Sequence, residues 1–512
     1  MQSIERVNWK IILPLAFLKL LVPFLLIHPA FEWQRDEFLY YQQGQHPAWG
    51  YMENPPLLSW LAGVSSILGG GTWTIKIWPA IFGAGTMVVS CLLTARFGGK
   101  TRAQVLTALA FLLTAFLRTH ILFQPNILDN FCWTTCIWLL VAHQQEKKPA
   151  WFYAFVAVSV LGFYGKYTQL FLLAAIGTSW ILSNRSYLTS RLTWRCLAIA
   201  ALLLLPNIWW QYQHRFPLAH HMQELRDTQL QYLSKADFLK DQLLMLLPVL
   251  PLWLAGLFAL LKEKTYRWIG ITYIAVVILL MLGSGKSYYA LGIYPPLVAA
   301  GAARWESFGR NRLWARLALP AWIVLLGLPM VPLLTPLWSP GRLAAYFEKS
   351  GIRRSGFLKW EDQKDHPLPQ DYADMLGWKE LAVKTEAAYH RLPPADQANT
   401  YVFCDNYGQA GALLYYAQDT VYKKKIFSAN GSFLLWIPPV TSFKHFLVTN
   451  EEIPPRDHPF FGHFKELQVL DSVQQPYARQ QGDKVMLFRG ADSQAYAIAN
   501  ALLKQERDEF RR

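Results

Sequence analysis

Residues 35–60 read RDEFLYYQQGQHPAWGYMENPPLLSW, and this stretch decides the fold because it follows directly on the first apolar run and is far more polar than that run. Polar chemistry is thereby placed at a membrane exit. Asp36 and Glu37 are adjacent, so on a helix their side chains diverge by roughly a hundred degrees and only one can face a given cavity. One acid is expected to work and the other to support it. Asn54, Pro55 and Pro56 read as a helix start: an Asx N-cap, then prolines where the first N–H groups have no helical partner, then the apolar run Leu57 to Leu68. A loop ends there and an interfacial helix begins.

Working outward, the composition sets the class. The chain has 512 residues, 53% of them hydrophobic, with 22 Trp and only 16% charged, which marks a membrane protein of more than one ordinary domain. The net charge of +15 is unevenly placed: residues before Ser339 carry 27 basic and 13 acidic side chains, against 22 and 21 afterwards. Short basic clusters between apolar spans are topology signals, and they lack the contiguous basic face that nucleic-acid binding needs. Cys91, Cys132, Cys136 and Cys196 fall inside apolar segments and Cys404 stands alone in the tail, so no disulfide framework is indicated.

A span of a ~30 Å hydrocarbon layer takes about 20 mostly apolar residues, fewer where ends are buried in protein. Eleven are expected, at roughly 10–30, 73–95, 103–121, 128–143, 150–165, 168–183, 196–211, 240–261, 268–283, 288–303 and 315–337. The first has the charged-then-apolar form of a signal peptide but runs to Ala30 without a small-x-small cleavage site, and is read as retained. With the N-terminus cytoplasmic, 17 of the 27 basic residues fall on the cytoplasmic side, which puts Asp36, Glu37 and the tail outside.

The expected organisation is a transmembrane domain over 1–339, with 31–72 as its first outer loop, and a soluble extracytoplasmic α/β domain over 340–512. In that tail, Asp371–Arg391 has helical spacing, TYVFC (400–404) reads as a buried strand and Asn406–Ala417 as a helix. SFLLWI, FKHFLV and KVMLF read as further strands, before a last helix near Ala491–Lys504. Lys423 to Lys425 read as a solvated turn.

Besides the acid pair, three polar sites fall on the same expected outer face: Asp129 at the start of span four, Lys166 in the hairpin between spans five and six, and Lys286 just before span ten with Tyr288 and Tyr289 beside it. Charges near a bilayer core are costly, so their convergence on one side points to a shared cavity. The bland reading makes Asp129 and Lys166 a structural ion pair and lets Lys286 snorkel to the headgroups. A carboxylate beside cations at an outer membrane surface suits transfer of a sugar held on a lipid phosphate. The leaving phosphate needs cations, the attacking hydroxyl needs a base, and the oxocarbenium-like transition state gains from a nearby anion. Asp36 would be the base, and Lys166 and Lys286 would hold the phosphate.

RDEFLYY, AWGYMENPPL, QPNILDNFCW and GKYTQLF resemble, in order and spacing, the GT-C membrane glycosyltransferases of the protein O-mannosyltransferase and lipid A aminoarabinose transferase type. The tail segments DYADMLGWKELA and CDNYGQAGALLYY are similar to those of bacterial members. The resemblance implies an inverting hexosyl- or pentosyltransferase of the inner membrane that uses a polyprenyl-phosphate sugar donor and a lipid, glycan or protein acceptor. Asp36 matches the base and Asp129 a second acid that shapes the site, with Glu37 grouped beside them. Lys166, Lys286, Tyr288 and Tyr289 would face the donor phosphate, and Arg35, Tyr40, Tyr51 and Asn54 would line the substrate site. Asn54 stands where many members have His or another polar residue. Some relatives bind a divalent metal, but no compact ligand cluster stands in this sequence, where His28, His46 and His120 are scattered. Two rival readings stay open at this level: a transporter, against which stand the missing paired half-sequences and the one-sided charges, and a non-catalytic scaffold subunit.

Overall fold

The computed structural model describes residues 5–228, 234–437, 442–455 and 457–509. A helix lies at each place where an apolar span is expected. In order these are α1 (Trp9–Leu25), α2 (Arg35–Gln45) and α3 (Leu57–Ile67) of the first loop, α4 (Thr72–Arg96), α5 (Thr101–Leu112) with the single turn α6 (Phe116–Thr119), α7 (Asn126–Glu146), α8 (Pro149–Gly165) and α9 (Gln169–Ser183). The helices Arg191–Gln213, Lys235–Leu244, Leu250–Lys262, Arg267–Leu282, Tyr294–Phe308 and Leu313–Leu334 follow.

Several are shorter than their apolar runs, for local reasons. α5 stops because the Ala115 N–H donates to the Met245 carbonyl (3.0 Å) across the bundle instead of continuing the helix. Past α1, the His28 N–H bonds the Pro336 carbonyl at 2.8 Å. Around Pro248 and Pro251 the segments Lys235–Leu244 and Leu247–Lys262 meet at 64°. By length and composition, Thr72–Arg96, Arg191–Gln213 and Leu313–Leu334 are able to cross a membrane, and a fourth span results if the bent pair counts as one. On Arg191–Gln213, Leu197, Leu202, Leu205 and Trp209 are each more than half exposed. So large an apolar surface is rare in a soluble monomer.

Two glycine crossings set the packing. A Cβ at Gly256 or Gly301 would lie 1.8 Å from a carbonyl oxygen of the facing helix, so Leu250–Lys262 and Tyr294–Phe308 touch backbone to backbone. A Cβ at Gly44 would come within 2.5 Å of the Gly63 nitrogen, which presses α2 onto α3 and fixes the angle at which the acid pair is presented.

The tail holds one five-stranded sheet of order β2-β1-β3-β5-β4. β1 (Thr400–Cys404) runs parallel to β2 (Ile426–Phe427) and β3 (His445–Asn450), while β5 (Lys484–Ala491) is antiparallel to both β3 and β4 (Phe464–Ser472). Alternation divides its faces: Val402, Cys404, Leu447, Val485 and Leu487 join the core beneath helices Trp378–His390 and Tyr407–Tyr416. Tyr401, Phe446, Val448, Met486 and Phe488 pack on the other side with Ala495 and Ala499 of the last helix, Ala495–Glu509.

Two expectations are corrected here. SFLLWI is a 3-10 helix over Gly431–Trp436, not a strand. Ser432, Phe433 and Leu434 are buried consecutively, so no period of two exists, and the Ser432 N–H and hydroxyl are both held by the Glu53 carboxylate (2.7 and 2.5 Å). Asn54 does not cap α3: Pro56 occupies the N-cap, and the Asn54 amide donates to the Pro55 carbonyl (2.8 Å) and contacts the Ser59 hydroxyl (3.4 Å). β2 and β4 escape the sequence pattern because the first is two residues long and the second is an edge strand with mostly outward, polar side chains.

The core does not break where the composition changes. Trp33, Phe38, Leu58, Phe123 and Ile127 of the first loop and the α7 start share one hydrophobic cluster with Trp378, Ala410 and Leu413 of the tail. A Cβ on Gly411 would sit 2.8 Å from the Phe38 Cβ, so the tail helix Tyr407–Tyr416 lies directly on α2.

Candidate active site

The start of α2 separates the two adjacent acids. The Gln34 side chain accepts from the Asp36 N–H (2.8 Å), and Glu37 Oε2 accepts from the Gln34 N–H (3.0 Å), an arrangement that fixes the first turn. Glu37 Oε1 then accepts from the Lys76 ammonium of α4 at 2.5 Å and from the Phe123 N–H at 2.6 Å. Lys76 also donates to the Ile121 carbonyl (3.0 Å), and both side chains are buried. Glu37 thus ties α2 to α4 and to the loop before α7, with no face open to a substrate.

Asp36 points the other way and is 24% exposed. Its Oδ1 accepts from the Tyr407 hydroxyl at 2.8 Å and lies 3.5 Å from Arg35 Nε; its Oδ2 accepts from the Gln124 amide at 3.1 Å. Arg35 lies over the Tyr407 ring, 5.3 Å from its centroid. Tyr40 is buried beside this group, and burial, followed by the Asp36 charge, holds its hydroxyl well above the ordinary phenol range.

From Asp36 a run of polar contacts leads to the second acid. The Asn126 side-chain amide approaches Gln124 Oε1 (3.5 Å), Asn126 Oδ1 accepts from the Lys166 ammonium (2.6 Å), and Lys166 lies 4.0 Å from Asp129 Oδ2. Asp129, in the first turn of α7, also accepts from the Thr168 hydroxyl at 2.7 Å. The Lys166 ammonium sits 3.7 Å from the Tyr289 ring centroid and 5.9 Å from that of Tyr288. Lys286 is close enough for its charge to act on Lys166, and it lies 3.8 Å from Glu361 of the tail. Burial raises Glu361, but Lys286, Arg479, Gln370 and Arg35 together outweigh it and hold the carboxyl below its usual range. Arg479 also approaches Asp374 (3.4 Å), whose burial pushes its carboxyl up to about 6 against the pull of Arg35 and Arg479. The tail therefore closes over the cluster with Tyr407, Glu361 and Asp374, and Arg118 pairs with Asp371 beside them.

Asp36, Asp129, Lys166, Lys286, Tyr288, Tyr289, Arg35 and Tyr40 thus share one neighbourhood. Two expected substrate-lining residues do not join it. Tyr51 is fully buried, its hydroxyl 2.9 Å from the carbonyls of Gln43 and His46, and it holds the loop after α2 together. Asn54 is buried at the α3 start, where Ser59 and Gln43 connect it to Glu53. Sequence reading passed over Tyr407, Gln124, Asn126, Glu361 and Asp374. Gln124 and Asn126 lie inside the QPNILDN segment that holds Asp129, Tyr407 lies in CDNYGQA and Asp374 in DYADMLGWKELA, so signals existed for these four. Of the scattered histidines, His46 stacks on Trp436 (4.3 Å) and His120 is buried next to Phe116. Among the described residues no group of three or more His, Cys, Asp or Glu converges as it would around a metal held by protein ligands alone.

Comparison with known proteins agrees with the resemblance drawn from the motifs. The family described as dolichyl-phosphate-mannose-protein mannosyltransferase matches residues 53–210, a segment that includes Asp129 and Lys166 and begins after Asp36. The lipid A galacturonosyltransferase RgtD of Rhizobium johnstonii is 24% identical over 194 residues, which is 37% of this chain and 41% of that protein, so the match spans less than half of the relative. The crystal structure of ArnT from Cupriavidus metallidurans bound to undecaprenyl phosphate superposes with a TM-score of 0.59 at 15% identity, over 94% of this chain and 98% of that one. Its apo state gives 0.58 at 14%, over 93% and 97%. The chain has that fold: a mostly helical body with a small C-terminal sheet.

Proposed function

We propose that this protein is an integral membrane glycosyltransferase that moves a sugar from a polyprenyl-phosphate donor to a hydroxyl of a lipid, glycan or protein acceptor. The observation that carries the reading is the continuous polar path from Asp36 through Gln124 and Asn126 to Lys166 and Asp129, with Lys286 alongside. A partly exposed carboxylate stands at one end and partly exposed cations at the other, which suits a reaction that takes a proton from one partner and stabilises charge leaving on the other.

In the proposed step the acceptor hydroxyl exchanges with Tyr407 or Arg35 at Asp36, which removes its proton. The oxygen attacks the anomeric carbon while the bond from that carbon to the phosphate oxygen breaks. A single displacement inverts the anomeric centre. Lys166 and Lys286 take the phosphate, and Tyr288 and Tyr289 fix Lys166 through their ring faces. Asp129 orients Lys166, and Glu37 is a positioning residue that sets the first turn of α2. No step is routed through a metal. The eleven-span arrangement, with the cluster and the tail outside the inner membrane, is part of the proposal. It is supported by the one-sided basic clusters and the outward apolar surface of Arg191–Gln213.

Mass spectrometry of lipid that copurifies with the full chain tests the donor assignment. A polyprenyl phosphate should be retained by the wild type and by Asp36→Asn, and lost from Lys166→Met with Lys286→Met. Equal retention by all three, or no such lipid in any, contradicts it.

A further inference from the structure

At the end of the bundle away from Asp36 lies a cavity of about 1020 Å³ bounded by Phe97, Leu260, Tyr266 and Ala300 and rimmed by charge. α4 spans the separation: its Lys76 meets Glu37, and Phe97, about 30 Å along the helix axis, lines the cavity. Five basic residues line it, Lys100, Arg102, Arg304, Arg310 and Arg316, with Glu5, Glu263 and Glu306. Two of the acids are engaged locally. Glu306 accepts from the N–H groups of Lys100 (2.5 Å) and Arg102 (3.1 Å) at the start of α5, and Glu5 lies 3.8 Å from Lys100. Arg316 is held in place by the carbonyls of Gly309 (2.9 Å) and Arg310. The remaining lining, Arg102, Arg304, Arg310 and Arg316 against Glu263, is anion-seeking, and the first three arginines are exposed.

Beside this rim the surface is apolar. Phe308, Leu313, Trp314 and Leu317, on either side of the Arg310–Arg312 turn, are 46%, 68%, 60% and 63% exposed. A polar bowl continuous with exposed Leu and Trp matches an amphiphile whose charged head and apolar chains must be met side by side. A free anion would use only the first part.

We propose that this cavity binds the phosphodiester head group of an anionic membrane phospholipid, with Arg102, Arg304 and Arg310 on the phosphate and the acyl chains against Leu313, Trp314 and Leu317. Arginine suits the role because its planar fork meets phosphate oxygens in pairs. Glu263 sets a limit on affinity by repelling the same charge. The inference rests on the chain lying in a bilayer and is independent of the reaction.

The test is thermal unfolding of the full-length protein in neutral detergent, titrated separately with phosphatidylglycerol, phosphatidylethanolamine and inorganic pyrophosphate. Phosphatidylglycerol should stabilise at concentrations at least roughly tenfold below phosphatidylethanolamine. Replacing Arg102, Arg304 and Arg310 together by Gln should raise its midpoint roughly a hundredfold. The same charge removed from the tail, Lys423→Gln with Lys424→Gln and Lys425→Gln, should leave it in place. Should the triple arginine variant fail to fold, Glu263→Gln serves in its stead, and it should lower the midpoint. Equal response to the two lipids, an equal effect of the two triple variants, or no change in Glu263→Gln overturns the proposal. Stabilisation by pyrophosphate at the lipid's concentration overturns the lipid in favour of a free phosphate. A chain inactive in sugar transfer that still separates the two lipids leaves the inference standing.

Discussion

Asp36 and Glu37 are neighbours on one helical turn, yet one belongs to a buried lattice and the other to an open cluster. Glu37 has every partner it can use within 3.0 Å: Lys76, the Phe123 N–H and the Gln34 N–H. Asp36 is shared between Tyr407, Gln124 and a longer approach from Arg35, and keeps a quarter of its side chain accessible. A carboxylate whose hydrogen bonds are all made inside the protein has no capacity left for an acceptor. One held by exchangeable side chains at an accessible edge has that capacity. Under the proposed function the difference separates stability from chemistry across a single peptide bond, and it can be broken from either side.

The largest expected effect on rate comes from Asp36→Asn. Removal of a general base costs about 10² to 10⁴ in turnover, with little change in melting temperature because the Asn oxygen still accepts from Tyr407 and the side chain is partly exposed. The largest effect on stability comes from the other acid. Removing one partner of a buried pair leaves an unpaired charge and costs about 3–5 kcal/mol, so Glu37→Gln or Lys76→Met should lower both melting temperature and the amount of folded protein. The double variant Glu37→Leu with Lys76→Met should recover part of that stability, and unfolding midpoints of the three variants decide this. If Glu37→Gln instead unfolds normally and loses turnover as Asp36→Asn does, the two acids share one role and the comparison collapses.

Lys166→Met sharpens the open side. Loss of one charge-assisted contact to phosphate is worth about 1.5–3 kcal/mol, so the donor KM should rise about tenfold or more. Tyr407→Phe removes a neutral donor to Asp36 and should cost about 1 kcal/mol, or roughly fivefold in kcat with KM unchanged.

A further effect concerns pH. Burial raises the Asp374 carboxyl from the ordinary 3.8 to about 6. Between those values the folded chain binds the proton that the unfolded chain has lost, so this group's contribution to stability falls as pH rises through the window and is constant above it. Asp374→Asn should flatten the dependence of the unfolding midpoint on pH between about 4 and 6.

The sequence made the helical body legible because apolar runs need no long-range information, and the divergence of the acid pair followed from helix geometry alone. The breaks within runs were hidden, because Ala115 N–H leaves α5 for a carbonyl 130 residues further along the chain, Met245. Lys76 stood inside an apolar segment with nothing local to announce its partner. Tyr407 reaches Asp36 across 371 residues, a contact set by how Gly408 and Gly411 let the tail helix settle on Arg35 and Phe38. Asn54 read as a helix cap because its neighbours are prolines. The loop, tightened by Tyr51 and Glu53, put Pro56 there instead.

The most direct measurement is single-turnover transfer from a polyprenyl-phosphate sugar by purified Asp36→Asn beside wild type, at matched folded protein and saturating donor. The rate should be lower by about 10² or more with donor binding retained. A variant that transfers sugar at the wild-type rate contradicts it.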